Sequence, residues 1–197
     1  MRKVIFLTSL VSGISFFMPA KILAQWGQCP NLDFTYGTML YWQCYTGSCA
    51  GGNYTVEPSA PIPERHTVMN LEALLATNQL YDEQCNKIEK VPKGYSFSCR
   101  VGNDVAGAKV DAIEYTLTVD SMSSMFILSF AWVMRKPGYA PNDPPQFTMK
   151  ITDSVGNVLN IPCGNVNFTA QDSLTDLVCE TSNLVARNWT TTGFSLE

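Results

Sequence analysis

Between Tyr95 and Asn157 the chain falls into four extended runs punctuated by Gly, Asn, Asp, Ser and Pro, the residues that turns select. Ile113, Tyr115, Leu117 and Val119 alternate with Glu114, Thr116 and Thr118, the period-two pattern of a strand with one buried face. Phe147, Met149 and Ile151 alternate with Thr148, Lys150 and Thr152 in the same way. Between these runs, Met125–Met134 is apolar at nearly every position and predicts an interior strand, too short to span a bilayer. Asp153–Asn157 (DSVGN) predicts a hairpin turn, and Tyr95–Val101 a further strand.

Outside this stretch the patterns are shorter. Residues 26–53 carry short extended pieces around Gly, Cys and aromatic residues. Residues 54–66 contain Pro58, Pro61 and Pro63 and are excluded from the interior of a sheet. Residues 70–82 (NLEALLATNQLYD) give the single helical signal, with Asn70 as cap and Leu71, Leu74 and Leu75 on one face. Residues 165–187 carry no clear period, and Ala186–Glu197 predicts the start of a strand pair that ends without a partner. The fold class expected is all-β, a two-sheet β-sandwich.

The N-terminus changes the picture. Arg2 and Lys3 precede an apolar run that ends at Pro19 and Ala20, and Ala24 supplies the small residue of a cleavage site, with Ile22 at minus three. Residues 1–24 therefore read as a signal peptide and 25–197 as one β-sandwich module, exported, with no membrane span after cleavage. Without Arg2, Lys3 and Lys21, ten of the thirteen basic residues remain against seventeen acidic ones, a charge of about −7. An acidic product without a basic run is a poor match to nucleic acid or to anionic lipid.

All seven cysteines lie beyond the leader, and in an oxidising compartment disulfides are expected. Proximity in sequence suggests Cys85–Cys99 and Cys163–Cys179, each closing a loop of about fifteen residues worth about 3 kcal/mol. Cys44–Cys49 is the third candidate, which leaves Cys29 over. Zinc is disfavoured by the lack of paired CxxC motifs and by a single histidine, His66.

That single imidazole also argues against Ser-His-Asp or Cys-His chemistry, with Arg65 beside it and the cysteines oxidised. No carboxylate pair is singled out for glycosidase work, and there is no Walker loop, GxGxxG or HExxH. Trp26, Trp42, Trp132 and Trp189 could offer stacking faces for sugars, although core packing is the commoner role for Trp42 and Trp132.

The order of several motifs resembles an N-terminal module of large exported surface proteins of gliding-type bacteria, proteins with PKD-like repeats and a type IX secretion sorting domain. The carrying pieces are Cys29 with NLDF, Trp42–Cys49 (WQCYTGSC), Arg65–Met69 (RHTVM), Arg100–Asn103 (RVGN) with AGAKVDAIEYTLTV, and the run from Phe130 through two Pro loops to IPCG. The resemblance implies a jelly-roll-like sandwich similar to galactose-binding modules, and a non-enzymatic adhesion or recognition role with an extracellular glycan or surface polymer as partner. Two other roles are a purely structural disulfide-stapled cap and a glycan-active enzyme. Thr35 stands where related jelly rolls carry a glutamate that helps to hold structural calcium, which leaves calcium doubtful and no other cofactor implied. The resemblance also implies strands beyond Trp189–Gly193, so the module is expected to lack its closing strands. Ligand-binding candidates are Arg65, His66, Arg100 and Asn103, with Trp42 as stacking face. Ser121, Ser154 and Ser173, each after an aspartate and before an apolar residue, fit the O-glycosylation pattern of such bacteria, and equally fit ordinary turn chemistry.

Overall fold

The structure, a computed structural model, describes residues 2–11, 14–17, 29–50, 53–105, 107–119, 124–135, 145–162, 164–170, 176–181 and 183–196, with side chains from residue 29 onward. It is all-β. The strands are β1 (Arg2–Val11), β2 (Ile14–Phe17), β3 (Gln43–Ala50), β4 (Asn53–Ser59), β5 (His66–Asn70), β6 (Phe97–Val101), β7 (Ala108–Leu117), β8 (Met125–Arg135), β9 (Gln146–Asp153), β10 (Asn165–Thr169), β11 (Leu177–Glu180) and β12 (Leu184–Ser195), with one helix, α1 (Leu71–Ala76). A six-stranded antiparallel sheet runs β10-β9-β1-β7-β3-β4, a four-stranded sheet runs β11-β12-β8-β2, and β5 and β6 form a separate pair.

The alternation in the sequence explains the layering. Ile113, Tyr115 and Leu117 of β7 and Phe147, Met149 and Ile151 of β9 belong to one buried cluster with Phe126, Leu128, Phe130, Trp132 and Met134 of β8. That cluster is the interior of the sandwich. Ala131 and Val133, on the opposite face of β8, are buried with Ala186 under Cys85 and Ile88. A strand covered on both faces has no polar face to display, which is why Met125–Met134 is continuously apolar.

Asn70 caps α1, its Oδ1 accepting a hydrogen bond from the Ala73 amide at 3.1 Å. The helix is only six residues long because Asn78, at φ +55°, turns the chain back. In the DSVGN turn, the Asp153 carboxylate accepts from the amides of Val155 and Asn157, both at 2.9 Å. Ser154 sits exposed in this turn; Ser121 and Ser173 lie outside the described residues. The proline-bearing β4 is an edge strand, as its composition requires. Its partner β3 contains Gly47, where a Cβ would stand 1.7 Å from the Thr55 carbonyl oxygen. Gly47→Ala is therefore expected to force the β3–β4 backbones apart and cost roughly 1–3 kcal/mol, read as a lower urea midpoint.

Several expectations are corrected. Cys85 is bonded to Cys179, across a sequence separation of 94, and not to its near neighbour Cys99. The loop after α1 lies against the four-stranded sheet, which brings Cys85 to β11, whereas Cys99 points into the interior. The Cys99 thiol is free and fully buried, 3.6 Å from the Met39 sulfur, and burial pushes its pKa up. With Cys179 taken, the expected Cys163–Cys179 bond does not form; Cys163 lies outside the described residues. Cys44 and Cys49 share β3 at an odd spacing, which puts them on opposite faces, so the expected bond between them is absent and Cys44 is a buried thiol. Burial, with Asp111 nearby, pushes its pKa up to about 12. The C-terminal run is not partnerless: β12 pairs with both β8 and β11. The described residues of the N-terminal segment form β1, between β7 and β9, and β2, on the edge of β8, and leave the reading of residues 1–24 as a leader untested.

Candidate functional site

The residues singled out in the sequence divide into two places, and neither is an open site. Asn31, at φ +57°, is buried and knots the NLDF segment: its side-chain amide donates to the carbonyls of Thr38 (2.9 Å) and Leu40 (2.7 Å), and its Oδ1 accepts from the Tyr36 amide (2.9 Å). The Trp42 indole donates to the Asn31 carbonyl at 2.9 Å, and its ring stacks on Phe34 with centroids 4.7 Å apart. Trp42 is thus a core residue with its ring face covered. Thr35 donates its hydroxyl to Asp33 at 2.8 Å.

Arg65, His66 and Arg100 are neighbours along the β5–β6 backbone, where Thr67 pairs with Arg100 and the Gly102 amide donates to the Arg65 carbonyl at 2.8 Å. His66, however, pairs with Val101, and Arg100 lies on the other face, its charge acting on Asp82 and Glu83. Arg65 makes a 2.6 Å ion pair with Asp111, a residue of β7 that is 2% exposed. Burial pushes the Asp111 carboxyl up to about 6 despite that pairing. His66 is buried with both ring nitrogens engaged: Nε2 lies 3.1 Å from the Tyr45 carbonyl, and Nδ1 accepts from the Ile62 amide at 3.3 Å. These contacts select the neutral Nε2–H tautomer, and burial lowers the histidine's pKa. Asn103 holds a local turn, accepting from the Val105 amide at 3.2 Å. The cluster braces β5 against the large sheet.

An open concavity lies elsewhere, between the loop after α1 and strands β8 and β12. The loop is fixed at many points. Tyr81 bridges Glu89, the Asp82 amide donates to the Ile88 carbonyl at 2.9 Å, and the Lys90 amide donates to that of Leu80 at 2.8 Å. Asp82 Oδ1 accepts from the Gln84 and Cys85 amides at 2.9 and 2.8 Å, while Ile88 and the disulfide seat the loop on the sheet. Lys90, 3% exposed, is paired with Glu83; burial raises that carboxyl, but the bond to Lys90, a backbone hydrogen bond and the charges of Lys90 and Arg100 together hold it below its usual range. Pro92 and Gly94, at φ +86°, then turn the chain toward β6.

On the other side, the register of β12 against β8 shifts between Arg187 and Thr190. A bulge re-aims the side chains it contains, and here it contains Asn188 and Trp189. The Trp189 indole donates to the Glu89 carbonyl at 2.7 Å, tying two segments 100 residues apart. The floor is closed by the 2.7 Å hydrogen bond between Ser129 and Thr191. The result is an open groove of about 490 Å³, with Tyr81, Tyr95 and Trp189 as aromatic walls and Lys87, Lys93, Glu89 and Asn188 as polar ones. This volume lies in the range typical of small-ligand sites.

In the sequence nothing sets Tyr81 and Tyr95 apart from the other tyrosines, or Trp189 from the other tryptophans. The one signal that could have joined them is the Cys85–Cys179 bond, and spacing argued for other pairs. Among the described residues no group of His, Cys, Asp and Glu is placed to hold a metal ion, and no helix is long and apolar enough to cross a membrane. No family model, curated protein or solved structure matches the chain.

Proposed function

We propose that this protein is a non-enzymatic, exported recognition module of the cell surface whose groove between the post-α1 loop and β12 binds glycan. The observation that carries this reading is the combination, in one open groove, of three aromatic side chains with amide, hydroxyl and charged groups. A saccharide ring is apolar on its faces and hydroxylated around its rim, so it asks for aromatic surface beside hydrogen-bonding groups. Lys87 and Lys93 outnumber Glu89 at the rim, which favours acidic or heavily hydroxylated sugars over cationic ones. The disulfide fits an oxidising compartment, and the motif order fits an adhesin-type surface protein.

The test is a glycan array followed by titration of the strongest hit. Trp189→Ala and Tyr81→Ala are each expected to weaken binding by about tenfold or more, the effect of losing 1.4 kcal/mol or more of stacking. Arg100→Ala, at β6 and outside the groove, is expected to leave affinity unchanged. An array without hits from natively folded protein, or affinities indifferent to Trp189→Ala, would refute the reading.

A further inference from the structure

β1 holds an unusual place for a segment whose sequence reads as a removable leader. It lies inside the six-stranded sheet, pairing with β7 from Arg2↔Leu117 to Val11↔Ala108 and with β9 from Arg2↔Asp153 to Ser9↔Gln146, antiparallel to both. Loss of residues 1–24 would take out a strand from the middle of the sheet. The facing edges of β7 and β9 would then carry rows of unsatisfied N–H and C=O groups. Those two strands also contribute Ile113, Tyr115, Met149 and Ile151 to the interior, so the opening would lead directly into the core.

The flanking strands specify what should fill the gap. Val4 pairs with Tyr115 and Ile151, and Phe6 with Ile113 and Met149, so these register positions call for apolar residues. At the intervening positions Lys3 pairs with Thr116 and Thr152, Ile5 with Glu114 and Lys150, and Leu7 with Ala112 and Thr148, so the Ile5 position calls for a polar residue. The leader satisfies the first set but puts Ile5 between two charged neighbours. An apolar run is what targeting demands, whereas this position demands alternation.

We propose that the place between β7 and β9 is an acceptor site for an extended segment of a partner polypeptide, about ten residues long, antiparallel to both strands, apolar at the Val4 and Phe6 positions and polar at the Ile5 position. The proposal rests on the export reading, in which the leader leaves. A second copy of the chain is a poor donor, because the alternating runs of residues 25–197, such as those of β7 and β9, are already built into its own sheets.

The test uses the full chain, made in an oxidising cytoplasm with a protease site placed within residues 18–24. The folded protein is cut and unfolded in urea, the N-terminal fragment is removed, and the remainder is refolded with synthetic peptides. The uncut chain, carried through the same steps, is the control. The Arg2–Val11 peptide, and its version carrying Ile5→Thr, are expected to restore the native near-ultraviolet signal and bind one to one, the second at least as tightly. A version with Val4→Asp and Phe6→Asp is expected to bind roughly a hundredfold more weakly, since it buries charge. The proposal is overturned if the remainder regains the native signal as a monomer without peptide. It is equally overturned if it does so only as an oligomer, with a second copy filling the gap, or if no peptide restores a remainder whose uncut control refolds. Intact mass of the exported protein separates the two readings: a product that retains Met1 removes the export premise, while a product starting at Gln25 leaves the peptide result to decide alone.

Discussion

Protein lacking the Cys85–Cys179 bond is expected to lose about 4–5 kcal/mol of unfolding free energy, the largest effect of any change outside the core. The bond spans 94 positions, and in the chain-entropy model a closed loop of that size constrains the unfolded ensemble by about this amount. The bond also seats Ile88 and the loop carrying Tyr81 and Glu89 on the outer face of the four-stranded sheet. Urea unfolding of the Cys85→Ala/Cys179→Ala protein should show the lowered midpoint, and each single variant should show nearly the whole effect, because one cysteine without the other forms no bond. On the proposed reading of the groove, glycan affinity should fall in the same variants, since the bond anchors the loop that forms the groove's wall. Cys99→Ala provides the contrast: its thiol is outside the bond, so only the loss of buried packing should register. Non-reducing peptide maps that join the Cys85 peptide to Cys99 would contradict the arrangement outright.

The same bond shows where the sequence was readable and where it was not. Period-two alternation located β7 and β9, continuous apolarity located β8, and DSVGN located the turn after β9, because each of these signals is local and its cause, one face or two faces buried, acts residue by residue. The Asn70 cap of α1 was legible for the same reason. Disulfide pairing is not local. Cys85 lies closer in sequence to Cys99, yet β6 turns Cys99 inward to the main core while the loop carries Cys85 over the other sheet. Trp189 was equally hidden: in sequence it is one aromatic in a run of threonines, and only the slipped register of β12 sets it in a groove. Arg65 and His66 did fall side by side, but spacing carried no sign that Asp111, in a stretch of β7 buried on both faces, would claim Arg65. The leader-like segment is the sharpest case. Its composition speaks of targeting, while its position in the structure speaks of the strand that the sheet between β7 and β9 requires.

Asp111→Ala is the second large effect expected, a loss of about 3–5 kcal/mol, because it leaves the Arg65 guanidinium largely buried without its carboxylate. Arg65 is 17% exposed at its side chain and, among the described residues, also donates to the Val110 carbonyl, at 3.3 Å. The charge, more than the shape, sets the cost, so Asp111→Leu combined with Arg65→Met should recover most of the stability that either single change removes. The pH dependence is distinctive. Burial lifts the Asp111 carboxyl from 3.8 to about 6 in the folded protein, so between those values the native state holds a proton that the unfolded chain has released. Its contribution therefore favours folding at the acid end of that window and fades as pH rises through it. His66 acts in the opposite sense. Its lowered pKa keeps the folded imidazole neutral, so its contribution is complete above the ordinary value of 6.5 and is lost as pH falls below it. Carboxyl and imidazole NMR titrations should show Asp111 changing charge near 6 and His66 titrating below its ordinary value of 6.5. In Asp111→Asn the acid-side gain should vanish and the histidine's loss should remain. A carboxyl at this position titrating near 4, with stability flat across the window, would show that the ion pair with Arg65 prevails over burial.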